Sequence, residues 1–175
     1  FFLLALINNV AMAQSEVPRM EAFGGFSYLP SGSEDFPRSK SYGFQTSITA
    51  NLNKWFGVVG DFGGQYSRTN LSNLQYPLFS GTVKTAMYEY LVGPRFSIRT
   101  QRANIFGHLL FGGASGRTDL RSFSDTEIAI GAGVGLDIGI NSRMAIRAFQ
   151  FGYLGSFTDM LENNVRLGTG IVFRF

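Results

Sequence analysis

Ten ionisable side chains fall on the inward parity of segments whose residues alternate in character. Glu21, Asp61, Glu89, Glu127 and Asp137 supply five carboxylates, Arg95, Arg147, Arg166 and Arg174 four guanidiniums, and His108 the single imidazole of the chain. Carboxylates and guanidiniums brought together form short, charge-assisted and often bidentate pairs. Left unpaired in a low-dielectric interior, each ion would cost several kcal/mol. The near balance of five acids against four bases therefore points to one self-neutralising network, with Asp61 and Asp137 the expected partners of Arg95 and Arg147. Such a network can act as a rigid plug, or as an ion path that opens when its pairs rearrange. Other chemistries are poorly supplied. Cysteine is absent, which excludes disulfide scaffolds, thiolate catalysis and cysteine zinc sites. One histidine excludes multi-histidine metal centres. No catalytic residue, metal or cofactor is expected.

These charges need elements that hold them on one side. The 175 residues suit a single domain. Period-2 alternation marks eight strands, at about 19–29, 41–53, 54–66, 82–98, 104–116, 126–140, 143–154 and 165–175. The second is the cleanest: Tyr42, Phe44, Thr46, Ile48, Ala50 and Leu52 oppose Gly43, Gln45, Ser47, Thr49 and Asn51. The sixth sets Ile128, Ile130, Val134, Leu136, Ile138 and Ile140 against a glycine-rich face that carries Glu127 and Asp137. In the seventh the parity slips near Phe149 and Gln150, which predicts a bulge. Pro94 inside the fourth strand predicts another, because proline cannot donate to a ladder. Connections alternate between short ones at 53–54, 99–103 and 141–143 and long polar ones at 30–40, 67–81, 117–125 and 155–163. Ahead of the strands, residues 1–10 are mostly apolar and Ala11-Met12-Ala13 is followed by polar residues, the pattern of an export signal cleaved after Ala13. The expected organisation is a removed segment 1–13 and one β-domain, 14–175.

Alternation alone leaves open which face is wet. A soluble eight-stranded barrel turns its apolar face inward, whereas a transmembrane barrel turns it outward. Residue size decides. The polar face is built of Gly, Ser, Ala and Asn with a few charges and fits a narrow lumen; the other face is bulky in Phe, Ile and Tyr. Tyr28, Tyr42, Trp55, Tyr66, Tyr88 and Phe175 fall near strand ends, where aromatic girdles meet a membrane interface. The fold class expected is all-β, an eight-stranded antiparallel up-and-down transmembrane barrel. Its closure would leave no unsatisfied edge in lipid. An even strand count puts both termini on one side, the periplasm, and the four long loops outside. A net charge of +3 spread over the chain is too small for a nucleic-acid stripe.

The stretches SYGFQTSITANLNKWFGVVGDFGGQYS, LVGPRFSIR, FGHLLFGGA, AIGAGVGLDIGINSRMAIRAFQFGYL and NNVRLGTGIVFRF resemble the small outer-membrane β-barrel domain family often labelled porin family protein, related in shape to OmpA and OmpX type barrels. GPRF, GLD and the closing VFRF carry most of that resemblance. It implies integral residence in a bacterial outer membrane, amid lipid and lipopolysaccharide. It also implies that the last strand, with Leu167, Ile171, Phe173 and Phe175 on its apolar parity, is the assembly signal read by the barrel assembly machinery. It implies no settled activity. Lipid-modifying barrels of this size exist, and a Ser–His hydrolase needs a hydroxyl within reach of its imidazole. His108 is followed by Leu109 and Leu110, so the His-x-Ser pair expected of a lipid A deacylase-like barrel is missing. The reading is a non-enzymatic structural or adhesive surface protein, the alternative a narrow porin-like channel for small solutes. Loop charges such as Glu34, Asp35, Arg121, Asp125, Asp159 and Glu162 mix both signs, and no motif selects a ligand among host molecules, phage or lipopolysaccharide.

Overall fold

Side chains that alternate between bulky apolar and small polar satisfy both faces of a sheet when the bulky face meets lipid and the small polar face closes on itself. The computed structural model describes residues 17–31, 39–70, 82–118, 126–156 and 164–175. Its strands are β1 (Met20–Ser31), β2 (Ser39–Asn51), β3 (Phe56–Asn70), β4 (Thr82–Arg99), β5 (Ala103–Thr118), β6 (Thr126–Gly139), β7 (Met144–Ser156) and β8 (Asn164–Arg174). They pair antiparallel in sequence order and close into a barrel. The seam joins β1 to β8, with Glu21 opposite Arg174, Phe23 opposite Val172 and Tyr28 opposite Leu167. Several strands run a few residues past their expected ends, among them β3 to Asn70 and β5 to Thr118. The segment 1–13 and the long connections, with loop charges such as Glu34, Asp35, Arg121, Asp125, Asp159 and Glu162, lie outside the described residues.

The three short turns share one device, a polar side chain that caps the strand entry. Asn53 Oδ1 accepts from the backbone N–H groups of Trp55 (2.9 Å) and Phe56 (2.7 Å). Asn141 Oδ1 does the same for Arg143 (2.9 Å) and Met144 (2.8 Å). Thr100 Oγ1 accepts from Ala103 N at 3.0 Å and donates to its carbonyl at 3.1 Å. Such local bonds are why Asn and Thr favour turns.

Two irregularities were expected, and they differ in outcome. In β7 the register shifts: Phe149 faces Leu136 while Arg147 faces Asp137, so Ala148 is extra on that side. Across from β8 the shift lies between Arg147 and Gln150. This bulge turns both Arg147 and Gln150 inward, although they stand three positions apart. Pro94 makes no bulge. Its pairing with β3 is continuous, with Pro94 opposite Val58. Towards β5 the same register holds on both sides of Gly93 and Pro94, which simply drop out of the ladder. The missing N–H is absorbed by a two-residue gap, and the strand has no need of an inserted residue.

Bulky side chains face outward, Ile98, Phe111, Ile128, Val134 and Ile171 among them. Near the long-loop end, Tyr28 packs against Tyr42 with ring centroids 5.2 Å apart, and the Tyr66 and Tyr88 hydroxyls lie 3.2 Å apart. At the turn end, Trp55 stacks on Phe96 at 6.2 Å, and Phe56 meets Phe96 at 5.4 Å. The inner face packs to closure. Leu29, Val59, Leu91, Leu110, Ala114, Ala129 and Leu154 form one buried apolar cluster, and Phe23, Ala145 and Val172 a second. Glycines of β6 give the larger inward residues of β5 their room. A Cβ at Gly133 would lie 2.5 Å from His108 Nε2, and one at Gly135 2.5 Å from Phe106 Cζ.

Candidate functional site: the luminal charge network

The inward parity brings Glu21, Asp61, Glu89, Arg95, His108, Asp137, Arg147 and Arg166 into the lumen, all buried. The charged groups there form two clusters. In the first, Arg166 from β8 reaches across to Glu89 on β4, and its Nη2 donates to Asp61 Oδ1 on β3 at 3.1 Å. The other oxygen of Asp61 accepts from Gln45 Nε2 on β2 at 2.6 Å. Gln65 extends this polar layer by donating to Ser27 Oγ at 2.6 Å.

The second cluster centres on Asp137, whose exposure is nil. Arg147 approaches it as a fork, Nε to Oδ1 at 2.7 Å and Nη2 to Oδ2 at 3.2 Å, and Arg95 Nη2 shares Oδ2 at 3.1 Å. Each guanidinium is also held from the side. Arg95 Nη1 donates to Thr49 Oγ1 at 3.0 Å, and Arg147 Nη1 to Gln150 Oε1 at 2.7 Å. Arg95 lies 3.9 Å over the Phe106 ring, and Arg147 lies 4.0 Å over Phe23 and 4.4 Å over Phe106. Cations desolvated against ring faces gain on the order of 2 kcal/mol each. Nearer the turns, Glu21 takes Arg99 Nη1 at 2.7 Å, with Arg95 at 3.5 Å and Arg174 Nε at 3.8 Å.

The pairing differs from expectation in one respect. Asp137 does hold both Arg95 and Arg147, but Asp61 pairs with Arg166. Strand stagger places the first pair: the bulge in β7 brings Arg147 level with Asp137. Arg174 and Glu127 sit at opposite ends of the lumen and are only partly buried. His108 packs its ring against Phe106, centroids 5.8 Å apart. Leu167, Ile171, Phe173 and Phe175 lie on the lipid-facing parity of the last strand.

Sequence reasoning missed Arg99 and the neutral partners Gln45, Gln65, Gln150, Thr49 and Asn51. Arg99 shares the parity of Arg95 and Ser97 and lies one residue past the expected strand end, so extending β4 by one residue would have found it. The neutral groups were on the inward parity in plain view, but a count of formal charge passes over amides and hydroxyls.

The arrangement is suited to holding charge still. Arg95, Arg147, Arg166, Phe106 and Leu110 are among the largest fully buried side chains. Among the described residues no group of three or more His, Asp or Glu could hold a metal ion.

A family model described as "Outer membrane protein beta-barrel domain" matches residues 1–175. No curated protein sequence matches the chain. Solved structures do. Ail, the attachment invasion locus protein of Yersinia pestis, crystallised with the heparin analogue sucrose octasulfate, is 16% identical over 91% of this chain and 99% of its own, with a TM-score of 0.63. Neisserial surface protein A is 13% identical over 89% of this chain and 97% of its own, with a TM-score of 0.67. OprG from Pseudomonas aeruginosa is 9% identical over 91% of this chain and 97% of its own, with a TM-score of 0.58. At these identities the likeness is one of fold.

Proposed function

The chain belongs to the outer membrane protein β-barrel domain family, an integral bacterial outer-membrane protein, and from that premise we propose that it is a non-enzymatic surface protein whose barrel is a closed scaffold and whose long loops engage ligands outside the cell. One observation carries the reading: paired guanidiniums cross the interior of the barrel, above all Arg166 with Glu89 and Asp61, beside a buried apolar cluster that includes Leu29, Leu91, Leu110 and Leu154. A narrow porin-like channel would have to separate those pairs in a desolvated interior, at several kcal/mol per ion. A lipid hydrolase would have to activate a nucleophile with His108, which lies packed on Phe106 inside the wall.

In this reading the segment 1–13 is removed on export, both termini face the periplasm, and the last strand delivers the chain to the barrel assembly machinery. The loops then meet lipopolysaccharide and the cell exterior. Ail was crystallised with a sulfated sugar, which makes sulfated glycans the first ligands to try. The test is adhesion of bacteria displaying the barrel to immobilised heparin and to unsulfated dextran. Each long connection is replaced in turn by a short Gly-Ser turn, starting with residues 71–81, and folding is confirmed by the heat-dependent gel shift. The expected result is binding lost with one or two loops while the barrel stays folded. Binding to neither surface by any intact cell would overturn the adhesive reading.

A further inference from the structure

The charge in the lumen is unevenly divided. Towards the turns, Arg95, Arg99, Arg147 and Arg174 share two carboxylates, Glu21 and Asp137. Deeper in, Arg166 alone faces Asp61 and Glu89. Four cations against two anions leave the turn-side cluster at +2. That end of the barrel opens into a cavity of about 1060 Å³, lined by Arg99, Arg174, Arg102, Lys54, Trp55 and Asn104 among others, and among the described residues no acidic one is in its lining. Arg102 and Lys54 are exposed at its rim.

Unused hydrogen-bonding groups sit beside this excess. Asn104 is 1% exposed, yet among the described residues neither its Nδ2 nor its Oδ1 has a hydrogen-bond partner. The Nε groups of Arg99 and Arg174 also lack hydrogen-bond partners, Arg174 Nε standing 3.8 Å from Glu21. A buried amide left unsatisfied is costly and uncommon. Here it lies in the wall of a cavity rimmed by cations. Glu21 already accepts from Arg99 at 2.7 Å, and so fixes that guanidinium's position. Asn51 Oδ1 takes a second N–H of the same group at 2.9 Å.

We propose that the turn-side mouth of the barrel, with Arg99, Arg174 and Asn104 inside and Arg102 at the rim, is a binding site for a phosphate group. A monoprotonated phosphate answers both halves of Asn104: its oxygens accept from Nδ2 and its hydroxyl donates to Oδ1. Guanidinium N–H groups favour phosphate through short charge-assisted bonds. A free phosphate and the phosphomonoester headgroup of phosphatidic acid present the same chemistry. Trp55, exposed on the outer wall at this end, would suit the lipid.

The experiment uses the refolded barrel in a phosphate-free maltoside detergent. Titration with inorganic phosphate is followed by calorimetry, with chloride as the control anion. In parallel, native mass spectrometry counts retention of phosphatidic acid against phosphatidylcholine. Arg102→Gln and Asn104→Leu are the variants. Arg102 is exposed, and its side chain makes no hydrogen bond or ion pair among the described residues, so the first is expected to keep the fold; the gel shift verifies both. Saturable binding of inorganic phosphate, weakened about tenfold by either variant, supports a free-phosphate site; a tenfold change corresponds to 1.4 kcal/mol. Selective retention of phosphatidic acid that both variants abolish supports a headgroup site. Binding in neither arm, or binding that both variants leave unchanged, overturns the proposal.

Discussion

Replacing Asp137 with asparagine should destabilise the barrel by about 3–5 kcal/mol, the range for breaking a buried ion pair from one side. The carboxylate is wholly buried and accepts three N–H bonds, at 2.7 and 3.2 Å from Arg147 and 3.1 Å from Arg95. Bonds to charged groups contribute about 1.5–3 kcal/mol each, so three added naively give roughly 5–9 kcal/mol. The smaller figure is the sound one, because neither cation is wholly stranded. Arg95 keeps Thr49 at 3.0 Å and Glu21 at 3.5 Å, and Arg147 keeps Gln150 at 2.7 Å and the Phe23 ring. The assay is reversible urea unfolding in lipid vesicles, followed by the fluorescence of Trp55, the single tryptophan. A second substitution makes the result specific. Adding Arg147→Met to Asp137→Asn removes one of the two cations left behind. The double variant should then be more stable than the sum of the singles requires, with a coupling of about 1–3 kcal/mol. An Asp137→Asn barrel within about 0.5 kcal/mol of wild type, the range of inert surface changes, would refute the claim that buried pairing holds the lumen together.

Gly133→Ala should cost about 1–3 kcal/mol by overpacking, since its Cβ would meet His108 Nε2 at 2.5 Å and the Phe151 carbonyl at 2.9 Å. Gly60→Ala, with nothing within 4 Å, should be neutral in the same urea assay. Asn53→Ala and Asn141→Ala each remove an acceptor of two backbone N–H bonds, and each should cost about 1 kcal/mol; indifference of both turns would contradict the capping account. On the outer wall, Val134→Arg in the middle of β6 should cost about 2–4 kcal/mol and Ile98→Arg near the end of β4 about 0–1 kcal/mol. Equal penalties would mean that the two positions do not differ in membrane depth.

The strands and their inward faces were legible because a period of two leaves one choice per strand, and the size of the polar residues settles it. Residues 41–52 and 126–140 show this best. The bulge in β7 was legible for the same reason: a parity slip has to be absorbed somewhere. Partner identity was not legible. Whether Asp61 meets Arg147 or Arg166 depends on how far each strand is staggered against the next, and stagger is set by closure of the whole barrel. Pro94 misled because a lost donor suggests an inserted residue, whereas the ladder opened for two residues and kept its register. The turn-side vestibule was hidden for another reason. Arg99, Asn104 and Arg174 come from three strands, and nothing in their spacing along the chain predicts that they line one cavity.

The central claim is that paired guanidiniums close the bore, and planar-bilayer conductance of the refolded barrel tests it most directly. Folding is certified first by the heat-dependent gel shift. The account predicts silence from the folded wild-type protein, with current steps appearing only when Arg166→Ala removes the side chain that bridges Glu89 and Asp61. Reproducible steps from the wild-type barrel, altered when Arg95 or Arg147 is neutralised, would contradict it and make the network the gate of a channel.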